Sequence, residues 1–141
     1  MNNTLDILTK LKETMTPAAM ASVDADGKPH VRHINIGMVS EHGIYFVTSP
    51  KTDFYKQLMD HPYVSIEGLS SENVYEIVRV EGQVEELGQD QIEDVVKDNK
   101  FITTVYQNPK DRENARVFRL FEGSGLYHNF GTKEKVSFEI K

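Results

Sequence analysis

Ala18-Ala19-Met20-Ala21-Ser22-Val23, Asp24-Ala25-Asp26-Gly27-Lys28-Pro29 and His30-Val31-Arg32-His33-Ile34-Asn35-Ile36-Gly37-Met38-Val39 follow one another without a gap, and the fold class turns on them. The first segment is short, small and apolar. The second has the Asp, Gly and Pro content of a tight turn, and the third reads as a returning strand, so the three make a β-hairpin. Along the third segment Val31, His33, Asn35 and Gly37 share one face, and Arg32, Ile34, Ile36 and Met38 the other. Ser40-Glu41-His42-Gly43 turns the chain again into a strand from Ile44 to Thr48. Further strands are expected over Tyr63 to Leu69 and Val74 to Leu87. Gly82, inside the second of these, signals a bulge or a close backbone approach. A final hairpin is expected from Ala115 to Glu122 and Ser124 to Phe130 around Gly123, and a last strand over Lys135 to Ile140. Helices are expected over Thr4 to Thr14, Thr52 to Asp60 and Gln89 to Asn99. The first carries Leu5, Leu8 and Leu11 on one face with Ile7 beside it, and Asn3 or Thr4 as its cap. Ile92, Val95 and Val96 are the inward positions of the third. Phe101 to Tyr106 reads equally as helix or strand. Because hairpins dominate and βαβ crossovers are few, the pattern is mainly β (an α+β chain), a small antiparallel barrel with a few peripheral helices.

The chain has 141 residues, 38% hydrophobic and 27% charged, with a formal net charge of −6. Length and composition fit one soluble domain over residues 1–141. The acidic balance argues against a nucleic-acid surface. With no cysteine, disulfides, thiolate metal sites and cysteine nucleophiles are excluded. No apolar run has the length of a membrane span and no basic-then-apolar leader is present, so a cytoplasmic protein with no membrane partner is expected. His30, His33, His42, His61 and His128 do not pair at metal-ligand spacing, and no metal site is expected. Phosphate-loop, dinucleotide-glycine and nucleophile-elbow motifs are absent. The acidic run Glu81, Glu85, Glu86, Asp90, Glu93 and Asp94 reads as a solvated surface.

Chemistry concentrates at Val47-Thr48-Ser49-Pro50-Lys51-Thr52-Asp53-Phe54-Tyr55-Lys56-Gln57-Leu58. Here a strand stops at two hydroxyls and runs through a proline and a lysine into a helix. Thr48 and Ser49 offer hydroxyls, Lys51 a charge, and the amides of Thr52 and Asp53 the open N–H groups of a helix end, a setting that favours an anion. The same residues also serve as a plain helix cap, with Ser49 or Thr52 at the N-cap and Pro50 nearby. Arg32 has a fork suited to phosphate or carboxylate oxygens, or it reaches past the strand to water. Arg79 alternates with apolar residues and reads as part of a solvated face.

Three ordered pieces carry a family resemblance. They are Ala21 to Arg32; Ile44 to Lys51 with Tyr55 to Leu58 and His61 to Ile66; and Val78-Arg79-Val80-Glu81-Gly82-Gln83-Val84. Together they resemble the pyridoxamine 5′-phosphate oxidase-like, FMN-binding split-barrel family over about residues 15 to 87. The resemblance implies a six-stranded antiparallel split β-barrel that forms a homodimer with FMN at the interface. It also implies that the strand of Arg32 lies along the flavin, with the backbone from His33 through Ile34 to Asn35 meeting the ring. Val47 and Thr48 would meet the flavin too, and Ser49, Lys51 and Thr52 would hold the phosphate.

The chain departs from the oxidases of that family in three places. Asp53 and Phe54 stand where those oxidases carry a basic pair. Gly37 stands where they keep a lysine. Phe130 to Lys135 lacks their basic substrate motif. The expectation is an FMN-dependent oxidoreductase or flavin reductase of unknown substrate, with no catalytic residue assigned and pyridoxamine 5′-phosphate oxidation disfavoured. The alternative is a non-enzymatic flavin- or haem-binding stress protein on the same barrel.

Overall fold

The computed structural model describes residues 3–97, 104, 106 and 108–141. Helix α1 (Thr4–Thr14) starts where the Asn3 side chain accepts the Asp6 amide at 2.8 Å. Ile7, Leu8 and Leu11 form its buried stripe. Leu5, expected on the same face, is 44% exposed, because at about 100° per residue it falls well off the centre of that stripe.

The strands are β1 (Ala18–Val23), β2 (Pro29–Ile34), β3 (Ile36–Ser40), β4 (Gly43–Thr48), β5 (Tyr63–Leu69), β6 (Glu76–Glu86), β7 (Arg116–Asn129) and β8 (Lys135–Ile140). Helix α2 (Asp53–Asp60) joins β4 to β5, α3 (Ile92–Val96) follows β6, and α4 (Pro109–Glu113) precedes β7. Every strand pairing is antiparallel. The order is β2-β1-β5-β6-β7-β4-β3, with β8 beside the second half of β7. The end strands β2 and β3 are separated in sequence by Asn35 alone. Adjacent residues cannot sit at opposite ends of a flat sheet, so the sheet curls until its ends approach. The result is the expected mainly β, split antiparallel barrel with peripheral helices.

Three expectations need correction. The barrel has eight strands rather than six. The strand expected over His30 to Val39 is two: residues up to Ile34 pair with β1, and those from Ile36 pair with β4. Asn35 is where the chain changes partner, and Gly37 lies in the register shift that bends β3. The hairpin expected around Gly123 is one continuous strand of 14 residues. Gly123 and Gly82 mark a crossing there: a Cβ on Gly82 would sit 2.9 Å from the Gly123 Cα, and the β6–β7 register slips between Glu81 and Gln83. Gly82 is thus the bulge and close approach that its position predicts. Residues 98 and 99 of the expected acidic helix lie outside the described residues. So does the Phe101 to Tyr106 segment apart from Thr104 and Tyr106.

The barrel interior holds Phe46 stacked on Phe118 at 5.7 Å and near Phe54 at 6.1 Å. A second cluster gathers Tyr45, Ile92, Val95, Val96, Ala115 and Val117 where α3 covers β3 and β4. Among the described residues no helix is long and apolar enough to cross a membrane.

An ion pair buried at its carboxylate end ties α1 to the barrel. Lys10 Nζ lies 2.8 Å from Glu76 Oε2, and the Tyr127 hydroxyl donates to the same oxygen at 2.5 Å. Burial pushes the Glu76 carboxyl up, but the hydrogen bonds from Lys10 and Tyr127 outweigh it, and its pKa lies below the ordinary 4.5. A carboxyl depressed by folding adds stability above its unfolded pKa and loses it as pH falls through the folded one. Asp24 has the same sign, held at about 2 chiefly by the His30 side chain and the Lys28 amide. Urea midpoints are therefore expected to fall as pH drops below about 5. Glu76→Gln should lower the midpoint at neutral pH and flatten that dependence; an unchanged slope would show that Glu76 does not titrate with folding.

Candidate functional site

A cavity of about 440 Å³ opens where the β2–β3 link, the end of β4 and the start of α2 meet. It brings together Arg32, His33, Ile34, Asn35, Val47, Thr48, Ser49 and Thr52. Lys51, the remaining expected site residue, does not line it and stands exposed on the adjacent turn. The meeting follows from topology. The sheet's curl carries β2 and β3 round to one side, and the β4–α2 turn closes over that gap.

The turn is built as a helix cap. Thr52 is the N-cap: its hydroxyl accepts the Tyr55 amide at 3.1 Å and donates to the Ser49 carbonyl at 2.9 Å. Its donor is therefore taken up internally, and its amide also turns inward to Ser49 O at 3.3 Å. The Thr48 hydroxyl lies 3.4 Å from that of Thr52. Ser49 Oγ accepts the Lys51 amide at 3.3 Å, which leaves its own proton for another acceptor. No hydrogen bond to a described residue engages the amides of Asp53 and Phe54, the first two of α2. The open donors of this helix end are thus Asp53 and Phe54 rather than Thr52 and Asp53.

Arg32 is half-buried and held from three sides. Nη1 donates to Ser22 Oγ at 2.8 Å and Nη2 to Gln57 Oε1 at 3.0 Å. The guanidinium carbon lies 4.1 Å from the centre of the Phe54 ring, a cation–π contact. Burial lowers the Arg32 pKa, yet the charge persists because guanidinium does not deprotonate in proteins. Among the described residues no carboxylate forms an ion pair with it.

Ser22, Gln57 and Phe54 were not anticipated as site residues. A signal existed for Ser22: it follows Ala18 and Met20 on the inward face of β1, and all three are buried. Phe54 and Asp53, where oxidases carry a basic pair, have different work here. Phe54 is buried under Arg32, and Asp53 opens α2 at the cavity wall. Gly37, where those oxidases keep a lysine, lies under α3; a Cβ there would stand 2.6 Å from Val95 Cγ1 and 2.6 Å from the Val95 carbonyl oxygen.

A larger depression, about 640 Å³, lies on the outer face of the sheet. Ala19, Ala21, Ser65 and Ser124 keep it shallow in side chains, and its arginine, Arg79, is matched by Glu67 across the strands. Arg79 is thus exposed in the single chain and ion-paired with Glu67. With charge already balanced, this surface is a poorer anion seat than the smaller cavity. The smaller one joins apolar walls (Ile34, Val47, Phe54) to a cation that no described carboxylate pairs and amides that no described residue engages. It suits a flat ligand with an anionic tail.

The family model described as pyridoxamine 5′-phosphate oxidase matches residues 8–121. Among solved structures, a NimC/NimA family protein from Clostridium acetobutylicum has a TM-score of 0.81 at 19% identity, covering 96% of this chain and 91% of that one. A heme binding protein from Mycobacterium smegmatis has a TM-score of 0.71 at 14% identity, covering 92% of this chain and 55% of that one. A pyridoxamine 5′-phosphate oxidase-related, FMN binding protein from Nostoc punctiforme has a TM-score of 0.56 at 14% identity, covering 88% of this chain and 86% of that one. These identities make the likeness one of fold. No curated protein matches the sequence.

Proposed function

The chain belongs to the pyridoxamine 5′-phosphate oxidase family, and from that premise we propose that it is a homodimeric FMN-binding flavoprotein working as a small oxidoreductase or flavin reductase. The observation that carries this reading is Arg32, a half-buried cation with no carboxylate partner among the described residues, beside the open amides of α2. A desolvated charge is costly until an anion meets it. FMN brings such an anion on a planar apolar ring. In this assignment Arg32, Ser49 and the Asp53 and Phe54 amides receive the phosphate. Lys51 adds charge from the rim, Ile34, Val47 and Thr48 wall the ring, and His33 to Asn35 edge it. Bound FMN would supply hydride and one-electron transfer, while the chain binds it, orients it and limits water. Pyridoxamine 5′-phosphate oxidation is not the proposed reaction, since Gly37, Asp53 and Phe54 replace the basic residues of the oxidases and Phe130 to Lys135 forms the tight β7–β8 turn.

The visible spectrum of the purified protein and a titration with FMN test the reading. Flavin absorption, or saturable quenching of added FMN, supports it. A colourless protein that ignores FMN refutes it, and a Soret band would turn the assignment to haem, for which His33 lines the cavity.

For the dimer, the supporting surface is the outer sheet face. Two rows cross it in register: Val31, Ala21, Ser65, Glu81 and Ser124; and His33, Ala19, Glu67, Arg79 and Leu126. Val31 is 71% exposed on this face, next to Arg32, so a second copy seated here would reach the cofactor cavity. Val31→Glu is expected to give a monomer in sedimentation and to weaken FMN binding. A dimer that survives the change would move the interface elsewhere.

A further inference from the structure

We propose that Ser22 and Gln57 are positioning residues that hold the Arg32 guanidinium as a preformed anion seat, and that the neutral amide at position 57 is what keeps this seat selective for a phosphorylated ligand. The ligand's identity rests on the FMN reading; the clamp itself rests on geometry alone.

Ser22 is fully buried on β1, and Gln57 is 6% exposed on α2. The Ser22 hydroxyl donates to Gln57 Oε1 at 2.6 Å, and that oxygen also accepts Arg32 Nη2 at 3.0 Å. Ser22 Oγ in turn accepts Arg32 Nη1 at 2.8 Å. The loop of three hydrogen bonds closes on itself. It also fixes the amide of Gln57, because a flipped amide would set its NH₂ against the Arg32 Nη2 donor. Phe54 covers one face of the guanidinium at 4.1 Å. Three elements, β1, β2 and α2, thus immobilise one side chain before any ligand arrives, which removes an ordering cost from binding.

The clamp uses two of the five N–H donors that arginine carries, on neutral oxygens. It therefore holds the guanidinium without neutralising it. A glutamate at position 57 would make the same contacts with nearly the same shape, but it would pair the charge inside the protein and leave the seat nearly neutral. A buried pair of that kind does not harm folding by leaving an orphan; its effect falls on the ligand. The distinction between Gln and Glu here is thus one of binding chemistry and not of packing.

The test compares FMN with riboflavin, which lacks the phosphate, on wild type, Gln57→Glu and Ser22→Ala, with nitrogen-proton NMR of the Arg32 side chain in cofactor-free protein. Gln57→Glu should weaken FMN by about tenfold or more, leave riboflavin within about twofold, and flatten the salt dependence of FMN binding. Ser22→Ala should speed rotation of the Arg32 guanidinium and weaken FMN by a few fold, again sparing riboflavin. Equal losses for the two flavins in either variant would make the clamp merely structural and overturn the proposal. If wild type binds neither flavin, the cofactor reading fails on its own. The clamp then stands if the Arg32 signals are slowly rotating in wild type and move with added inorganic phosphate in wild type but not in Gln57→Glu. A freely rotating guanidinium in wild type overturns it whatever binds.

Discussion

Arg32→Leu is expected to weaken FMN binding by about 100-fold while leaving riboflavin binding within about threefold and the fold intact. The fold survives because the Ser22 hydroxyl keeps its own acceptor, Gln57 Oε1 at 2.6 Å, and a leucine can cover the Phe54 ring. The ligand loses the one cation that, among the described residues, lines the cavity. Lys51→Ala makes the contrast. Its ammonium stands on an exposed turn outside the cavity lining, where water and salt screen it, so the loss should stay below about tenfold and fade as ionic strength rises. Isothermal titration of both flavins at low and high salt separates the two. A larger loss from Lys51→Ala than from Arg32→Leu would place the ionic contact on the turn and remove Arg32 from its assigned role.

Gly37→Ala is expected to destabilise the protein by about 3 kcal/mol, an overpacking cost, and to lower the melting temperature by about 10 °C. The new Cβ would stand 2.6 Å from Val95 Cγ1 and 2.6 Å from the Val95 carbonyl oxygen. The methyl can rotate away, but the backbone carbonyl cannot move without shifting α3. Val95 is fully buried in the cluster with Tyr45, Ile92 and Val117, so the strain should appear as undocking of α3. Hydrogen exchange should accelerate first over Ile92–Val96. Gly37→Lys, which restores the residue type of the oxidases, should be worse still and bring no oxidase activity. An unchanged melting temperature for Gly37→Ala would mean that α3 does not sit on β3 in solution.

Much of the barrel was legible because its signals are local. Asp24 to Pro29 makes the first hairpin's turn, His61-Pro62 ends α2, and Gly82 bends β6. The errors fell where a strand's partner lies far away in sequence. Nothing within His30 to Val39 says that its two halves belong to opposite ends of a sheet. Nothing near Gly123 distinguishes a turn from a bulge, because that depends on Gly82 of the neighbouring β6, where a Cβ would stand 2.9 Å from the Gly123 Cα. At the candidate site the same division holds. Thr48, Ser49 and Thr52 could be picked out as a strand-to-helix turn. That the Thr52 hydroxyl serves the cap, while the Asp53 and Phe54 amides stay open, depends on how the turn closes on itself.

By itself the sequence determined the antiparallel, mainly β class, the helix-end turn after β4, the absence of thiol chemistry and the arginine on β2. These rest on residue type and short-range spacing, which the chain carries wherever it folds. Only the tertiary structure decided that Arg32 sits partly buried with no carboxylate partner among the described residues. That depends on Ser22, ten residues before it, and Gln57, 25 residues after it, meeting its two nitrogens. It depends equally on Phe54 lying beneath it, in a position where the oxidases of the family carry a basic residue. Hydrogen bonds and ring contacts act over a few ångströms, and the curl of the sheet is what brings these residues within that range.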